Sequence, residues 1–406
     1  MARFSDSEIA RQWLKRFHDQ ERETASALLD EVLFVGADEF KRGMTALLAQ
    51  VMDEREEDRP VAIYAEREVD WEGRSIAPIF SGTRTGRATG DGPPPILFDP
   101  KEPEVGSEGL IATLITSFQR LHQDNVLNHP GPELMRDRRV GPVVILTDFI
   151  GSGQRVDEML EAFRAVASLR SWRSYGYVRF YVVAYSGTDE GISRVASNRL
   201  RPKVLTSAGC PTLQSAFPRT IKGAVYDLCR RYPPGNYYPF GYRDSGALVA
   251  FEHGVPDNVP PILHEGWDTW GPLFPGRSSV GANAAFPQSN QEELAERAET
   301  LLRMRGAARY ISDTRGRRWI ETMLVLTAID QGARTIAEIS AKTRLRLARV
   351  RELVEFTQVA HWTTSRNTLT PLGHAELQRL RKRRARTPVL PKNGKPFYYP
   401  GQLRAR

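Results

Sequence analysis

A carboxylate, a hydroxyl and a glycine turn stand between an apolar run and an amphipathic helix. The run is Val143-Val144-Ile145-Leu146, the polar pair Thr147-Asp148, and the turn Gly151-Ser152-Gly153, followed by Gln154 and Arg155. Four consecutive apolar residues predict a buried parallel strand. Val156, Met159, Leu160, Phe163 and Val166 share one helical face and predict a helix over residues 156–169. Strand, Gly-rich turn and helix N-terminus together make an anion site. Glycines admit close backbone approach, free N–H groups point outward, and the helix dipole favours negative charge. A carboxylate just before such a turn accepts hydrogen bonds from vicinal hydroxyls, so the implied ligand is a sugar phosphate. The Gly-Lys-Ser/Thr ending of a Walker A loop is missing, and so is the dinucleotide pattern Gly-x-Gly-x-x-Gly.

The stretch resembles the phosphoribosyl pyrophosphate (PRPP) motif of type I phosphoribosyltransferases. There an apolar strand leads into two acids, two apolar spacers, a small or acidic residue, Thr or Ser, Gly and further small residues. The resemblance implies that Asp148 holds the ribose hydroxyls and, through them, Mg²⁺. It also implies that Gly151, Ser152, Gly153, Gln154 and Arg155 form the 5′-phosphate loop, with Ser152 at the Thr/Ser position. Two positions depart from the pattern. Thr147 stands where the first acid belongs, and Arg155 where a small residue is usual.

The elements that position these residues read as an α/β sheet. Val61-Ala62-Ile63-Tyr64-Ala65 predicts the first strand. In the resembling family the loop after it takes pyrophosphate; here that loop holds Glu66 and Arg67. Residues 81–95 are rich in Gly, Pro, Thr and Arg, lack periodicity and predict a long loop. Arg67, Arg84 and Arg87 are the pyrophosphate candidates. A helix over 107–122, strands over 178–185 and 203–205, and a helix near 191–198 alternate as a parallel sheet with right-handed crossovers requires. Ahead of them, Ser5 and Glu8 have capping-box spacing, and periodicity over 24–34 and 38–52 predicts further helices. The expected division is an N-terminal helical layer over 1–58 and a phosphoribosyltransferase-like domain over 59–280.

Residues 247–260 predict a strand running into a polar loop with His253, Asp257 and Asn258, followed by Trp267 and Trp270. Ligands of open α/β sheets bind outside the carboxyl ends of the strands. The segment resembles the hood of divergent phosphoribosyltransferase-like proteins from bacterial conflict systems. That resemblance implies that Asp257 and Asn258 act on the acceptor side, as catalytic candidates beside Asp148. His253 reads as a structural histidine, and the two tryptophans as core or lid packing.

Beyond a helical connector over 281–316, the residues predict three helices ending in one over 345–356. Two short strands around Ser365-Arg366-Asn367 and a last helix from Pro371 follow. The pattern resembles a winged helix-turn-helix domain over 317–380. Arg346, Arg349 and Arg351 on the third helix, Arg366 at the wing tip, and Arg381, Lys382, Arg383 and Arg384 are the nucleic-acid-binding candidates. Residues 381–406 form a basic and aromatic tail. Residues 301–406 carry 23 Lys+Arg against 7 Asp+Glu, whereas the whole chain has a net charge of +8. The rest of the chain is therefore acidic, and only the C-terminal quarter is suited to a polyanion.

Two cysteines, Cys210 and Cys229, are too few for a disulfide framework or a zinc set. Residues 1–6 lack the apolar core of a signal peptide, and no run reaches the ~20 apolar residues of a membrane helix. A cytoplasmic protein without a membrane partner is expected.

The order of the two resemblances is similar to that of the effector encoded beside reverse transcriptases in one class of retrons. This implies an antiphage toxin held in check by a reverse transcriptase and its branched RNA–DNA product. It would bind PRPP or a nucleotide, use Mg²⁺ if catalytic, and transfer or cleave at the ribose C1 carbon. The alternative is a non-enzymatic regulator. Purine repressors join a winged helix to a PRPP-sensing domain, although in the opposite order. The acceptor and any oligomerisation stay open at this level.

Overall fold

The apolar runs form a five-stranded parallel sheet in the computed structural model, which describes residues 4–80, 85–95, 107–233, 235, 238–267, 270–285, 290–304, 307–311 and 313–385. In chain order the strands are β1 (Leu33–Val35), β2 (Val61–Ala65), the hairpin β3 (Trp71–Glu72) and β4 (Ser75–Ile76), and β5 (Val126–Asn128). After these come β6 (Pro142–Ile150), β7 (Arg179–Gly187), β8 (Lys203–Gly209) and β9 (Val249–Phe251). The sheet order is β5-β2-β6-β7-β8. The chain steps from β2 outward to β5 and returns on the other side as β6. The topological switch point therefore lies between β2 and β6, where ligands of doubly wound sheets bind.

The central strands are largely apolar in their middles because helices cover both faces. Ala62, Tyr64, Val143, Ile145 and Phe180 face the helix Gln154–Ala165, which contributes Met159, Leu160 and Phe163. Ile63, Val144, Leu146 and Val183 face the helices Ala37–Glu54 and Ser107–Leu121, with Met44, Leu48, Ile115 and Phe118 between them. The N-terminal helices Glu8–Leu14 and Arg22–Asp30 join this second core through Trp13, Leu28 and Leu29.

Two expected helices are shorter than their periodicity suggested. The one expected over 24–34 ends at Asp30, and Leu33–Val35 pairs in parallel with β9 instead. Its β-branched and aromatic residues suit a pleated surface once a partner strand is beside them. The helix expected over 156–169 breaks at Val166, which turns extended so that its side chain enters the core, and resumes as Ala167–Ser174.

The C-terminal unit has its own core, built from Ile320, Leu324, Ile339, Val350, Leu353 and Leu377. Leu294 and Ala298 of the helix Asn290–Leu301, and Leu302 just after it, belong to the same core. Its helices are Thr314–Asp330, Ile336–Thr343, Leu347–Val359 and Pro371–Ala385. Thr335 and Glu338 form a capping box at the second of these. The wing is smaller than two strands. A single bridge joins Thr363 to Leu369, and Asn367 turns the tip at φ +53°.

This unit sits against the edge strand β8. Ser340 Oγ accepts the Gly209 N–H at 3.0 Å, and a Cβ at position 209 would lie 2.3 Å from the Ala337 carbonyl oxygen. Arg344, almost wholly buried, donates to the carbonyls of Asp30 at 2.8 Å and Val32 at 3.0 Å.

Candidate functional site

Parallel pairing sets the site's geometry. Ala65 of β2 is register-matched with Leu146 of β6, and the Glu66 N–H donates to the Leu146 carbonyl at 2.8 Å. Both strands thus end together at the switch point, presenting Glu66 beside Thr147 and Asp148. Thr147 Oγ1 lies 3.4 Å from Glu66 Oε2 and 3.4 Å from Asp148 Oδ1. On the far side, His253 Nε2 lies 3.1 Å from Asp148 Oδ2. The His253 ring stacks on Phe251 with centroids 5.0 Å apart and meets the edge of Phe40 at 5.1 Å. Aromatic packing thus fixes the imidazole that orients Asp148.

The glycine turn begins the helix Gln154–Ala165, with Gly153 as its N-cap at φ +72°. First-turn N–H groups have no partner inside a helix. The turn is held from behind by the start of the helix Asp189–Ala196. Thr188 Oγ1 donates to the Gly151 carbonyl at 2.6 Å and accepts the Gly191 N–H at 3.0 Å. Three glycines make this approach feasible. A Cβ on Gly153 would lie 2.5 Å from the Gly191 oxygen, and one on Gly191 would lie 2.1 Å from the Gly151 oxygen. A Cβ on Gly151 would meet Asn258 Oδ1 at 1.8 Å.

Arg155 joins three elements. Its Nε lies 2.9 Å from Glu66 Oε1, and its Nη2 donates to Glu108 Oε1 at 2.9 Å. The first of these contacts lacks a hydrogen bond's alignment, and Glu66 Oε1 is buried without a hydrogen-bond donor. Burial pushes the Glu66 carboxyl up to about 7. The Arg155 charge opposes this, while Asp148 and Glu108 reinforce it. His129, at the end of β5, is pushed down to about 4 by burial and by the Arg67 charge, so it stays neutral. Its Nε2 accepts the Ala65 N–H at 2.9 Å.

The Glu66 shift has a measurable consequence. The folded carboxyl holds a proton that the unfolded chain releases near pH 4.5. Stability from this group is therefore complete below that pH and is lost as pH rises through about 7. Glu66→Gln removes the titration. In urea unfolding the variant is expected to gain about 2 kcal/mol on the wild type between pH 5 and pH 8. An equal difference at both pH values would contradict the assignment.

The remaining candidates are distributed unevenly. Gln154 faces the hood, accepting the Tyr242 hydroxyl at 3.0 Å through Oε1 and donating to Glu158 Oε1 at 2.6 Å. Ser152 Oγ lies 3.4 Å from the Gln154 N–H. Asn258 is buried; its amide donates to Ser245 Oγ at 3.0 Å and lies 3.4 Å from the Tyr242 carbonyl, so it wedges the hood against Gly151. Asp257 is exposed, and its carbonyl accepts the Tyr242 N–H at 2.9 Å. Arg67 is half-buried and donates to the Pro94 carbonyl at 3.2 Å; Arg87 is exposed. Arg84 lies outside the described residues. No local sequence pattern marks Glu108, His129, Thr188, Gly191 or Tyr242 as site residues. They reach the site from separate elements, and only the topology unites them.

The basic side chains of the third C-terminal helix are largely paired. Arg346 forms a two-point bridge to Glu39 of the body, at 2.8 and 3.0 Å. Burial pushes the Glu39 carboxyl up, but Arg346 and Arg42 outweigh it and hold the carboxyl below the usual range. Arg349 pairs with Glu321 at 2.5 Å and with Glu352 at 2.5 Å. Arg351 and Arg366 are exposed. Arg381, Lys382, Arg383 and Arg384 lie in the last helix, whereas Arg386 and the aromatic segment 396–403 lie outside the described residues. A cavity of about 320 Å³ separates the body from this unit, lined by Tyr185, Glu293, Arg317, Arg344 and the paired residues above. Most of its charges are paired, with burial pushing the Glu293 carboxyl up to about 7, whereas at the sheet end Glu66 Oε1 has no hydrogen-bond donor.

Asp148, Glu66 and Thr147 beside first-turn N–H groups are a donor and acceptor set that fits a hydroxylated sugar phosphate. Among the described residues, no cluster of three or more His, Cys, Asp and Glu side chains is arranged to hold a metal. No helix among the described residues is long and apolar enough to cross a membrane. Both cysteines are buried, and burial pushes each thiol up to about 12.

The family model described as PRTase-CE matches residues 10–275, and one described as wHTH-PRTase associated matches residues 323–405. Comparison with curated proteins and with solved structures gave no match. The first match spans the N-terminal helices, the sheet, the glycine turn and the hood, well over half of the chain. This protein thus belongs to the PRTase-CE family, as a phosphoribosyltransferase-like chain that carries a winged helix at its C-terminal end.

Proposed function

We propose that the chain is a cytoplasmic defence effector whose sheet end binds PRPP or a nucleotide, and whose activity is restrained by a nucleic-acid-bearing partner. The observation that carries this is the meeting of an acidic cluster and a helix-opening glycine turn at one switch point. In the bound state Asp148 receives the ribose hydroxyls, with His253 fixing its carboxylate. The N–H groups of residues 152–155 receive the 5′-phosphate. Arg67, in the loop that follows β2 and beside His129, supplies a pyrophosphate contact. Asp148 would hold Mg²⁺ through the ligand's ribose hydroxyls, and the ion would supply positive charge beside the pyrophosphate. At C1 the bond to the leaving group breaks, and a bond to the acceptor forms through an oxocarbenium-like transition state.

The order of the two family matches supports a retron setting, with a reverse transcriptase and its RNA–DNA product as partners. Arg351 and Arg366, with the basic last helix, are the nucleic-acid contacts in this reading; Arg346 ties the two domains together through Glu39, and Arg349 is paired within the C-terminal unit. Expression without the partner should lower at least one cellular nucleotide pool, read by mass spectrometry, and Asp148→Ala should prevent it. If no pool falls, the depletion reading is wrong. Thr147 at the first-acid position favours a second reading, a sensor that binds PRPP and releases no pyrophosphate.

A further inference from the structure

The acid missing from position 147 has a counterpart across the sheet. Because Ala65 matches Leu146, the next register pair is Glu66 with Thr147. Matched residues of neighbouring parallel strands lie about 4.8 Å apart and point to the same face. A carboxylate at position 66 therefore stands one strand away from where one at position 147 would stand. The Thr147 hydroxyl lies between this carboxylate and Asp148, 3.4 Å from each. Threonine at 147 thus stands between the two acids, its one hydroxyl proton serving either of them, instead of being a third acid.

Glu66 also has unused capacity. Its Oε1 is buried and takes no hydrogen bond. Leaving a buried acceptor unsatisfied costs more than a hydrogen bond returns, and such groups call for an explanation. The Arg155 guanidinium supplies charge to Glu66 but no aligned donor, and it divides itself between Glu66 and Glu108. A vicinal diol offers two hydroxyl donors, and Glu66 and Asp148 present carboxylate acceptors on either side of Thr147.

We propose that Glu66 is the second member of the acid pair for the ligand's vicinal hydroxyls, displaced sideways from β6 to the register-matched position after β2. This rests on the phosphoribosyl reading and names the residue that completes it.

The test is calorimetric titration of the full chain with PRPP and Mg²⁺, using wild type, E66Q, T147D and the double variant E66Q/T147D. E66Q is expected to weaken binding by about tenfold or more, the loss of one charged hydrogen bond. The double variant should recover to within about threefold of wild type, because the acid is returned to β6 at the matching register. Should E66Q fail to fold, E66D retracts the charge by one methylene; it should weaken binding, and T147D should restore it. If E66Q binds like wild type while Asp148→Ala does not bind, Glu66 is not a ligand group. If E66Q loses affinity and T147D restores none, Glu66 serves only to hold Arg155, and the proposal is overturned. Absence of binding by the wild-type chain overturns the phosphoribosyl reading itself, and this proposal with it.

Discussion

Gly153→Ala is expected to abolish binding of a phosphate-bearing ligand and to lower stability by about 3 kcal/mol. Two penalties combine at this position. At φ +72° the backbone is left-handed, which costs an L-residue about 1–2 kcal/mol. The added methyl would also lie 2.5 Å from the Gly191 carbonyl oxygen and 3.1 Å from that residue's Cα. These are backbone atoms, so no flexible side chain can yield. Relief requires either the turn or the start of the helix Asp189–Ala196 to move. That breaks the Thr188 hydrogen bond to Gly151 and redirects the first-turn N–H groups that define the anion site. Urea unfolding reads the stability loss and calorimetry reads the affinity loss. Wild-type affinity in Gly153→Ala would show that the turn does not hold the phosphate.

Arg344→Ala should separate the winged-helix unit from the body. The guanidinium is almost wholly buried and ties the C-terminal helix pair to the carbonyls of Asp30 and Val32. It also lies 3.6 Å from Glu296 and opposes the burial that pushes the Glu293 carboxyl up to about 7. Truncation removes these donors from two carbonyls and one counter-charge from each of two glutamates. Breaking a buried pair from one side costs about 3–5 kcal/mol. The C-terminal unit has an apolar core of its own, so the loss falls on the junction and not on either core. Calorimetric melting should change from one transition to two, and amide exchange should rise in β8 and in the helix Ile336–Thr343. A single transition at the wild-type temperature would mean that β8 packing alone holds the unit.

The parts of the site that were legible in the sequence are local. A β-strand, a glycine turn and an amphipathic helix within 143–165 carry their own periodicities, and the structure assembles them in place. Glu66 and His253 lie in stretches of ordinary composition, 81 and 105 residues away from their partners Thr147 and Asp148. Their roles follow from register and from β9 joining β1, which no local pattern encodes. The arginines of the third C-terminal helix illustrate the opposite error. Their type and spacing pointed to an outward basic face, yet Glu39 and Glu321 arrive from other elements and pair with Arg346 and Arg349. Sequence charge reports the sign of a side chain but not the carboxylate that folding brings beside it. Asn258 shows a third case. An amide next to a glycine turn suits substrate recognition by chemistry, but here it fills the volume that the absent Gly151 side chain leaves.

The most direct test of the account is calorimetric titration of the wild-type chain and of Asp148→Ala with PRPP and Mg²⁺. Binding requires no acceptor and no partner. Saturable, Mg²⁺-dependent binding by the wild type, lost by about a hundredfold or more in Asp148→Ala, is the predicted result. Binding of equal strength in both proteins, or none in the wild type, would contradict a phosphoribosyl site at the switch point.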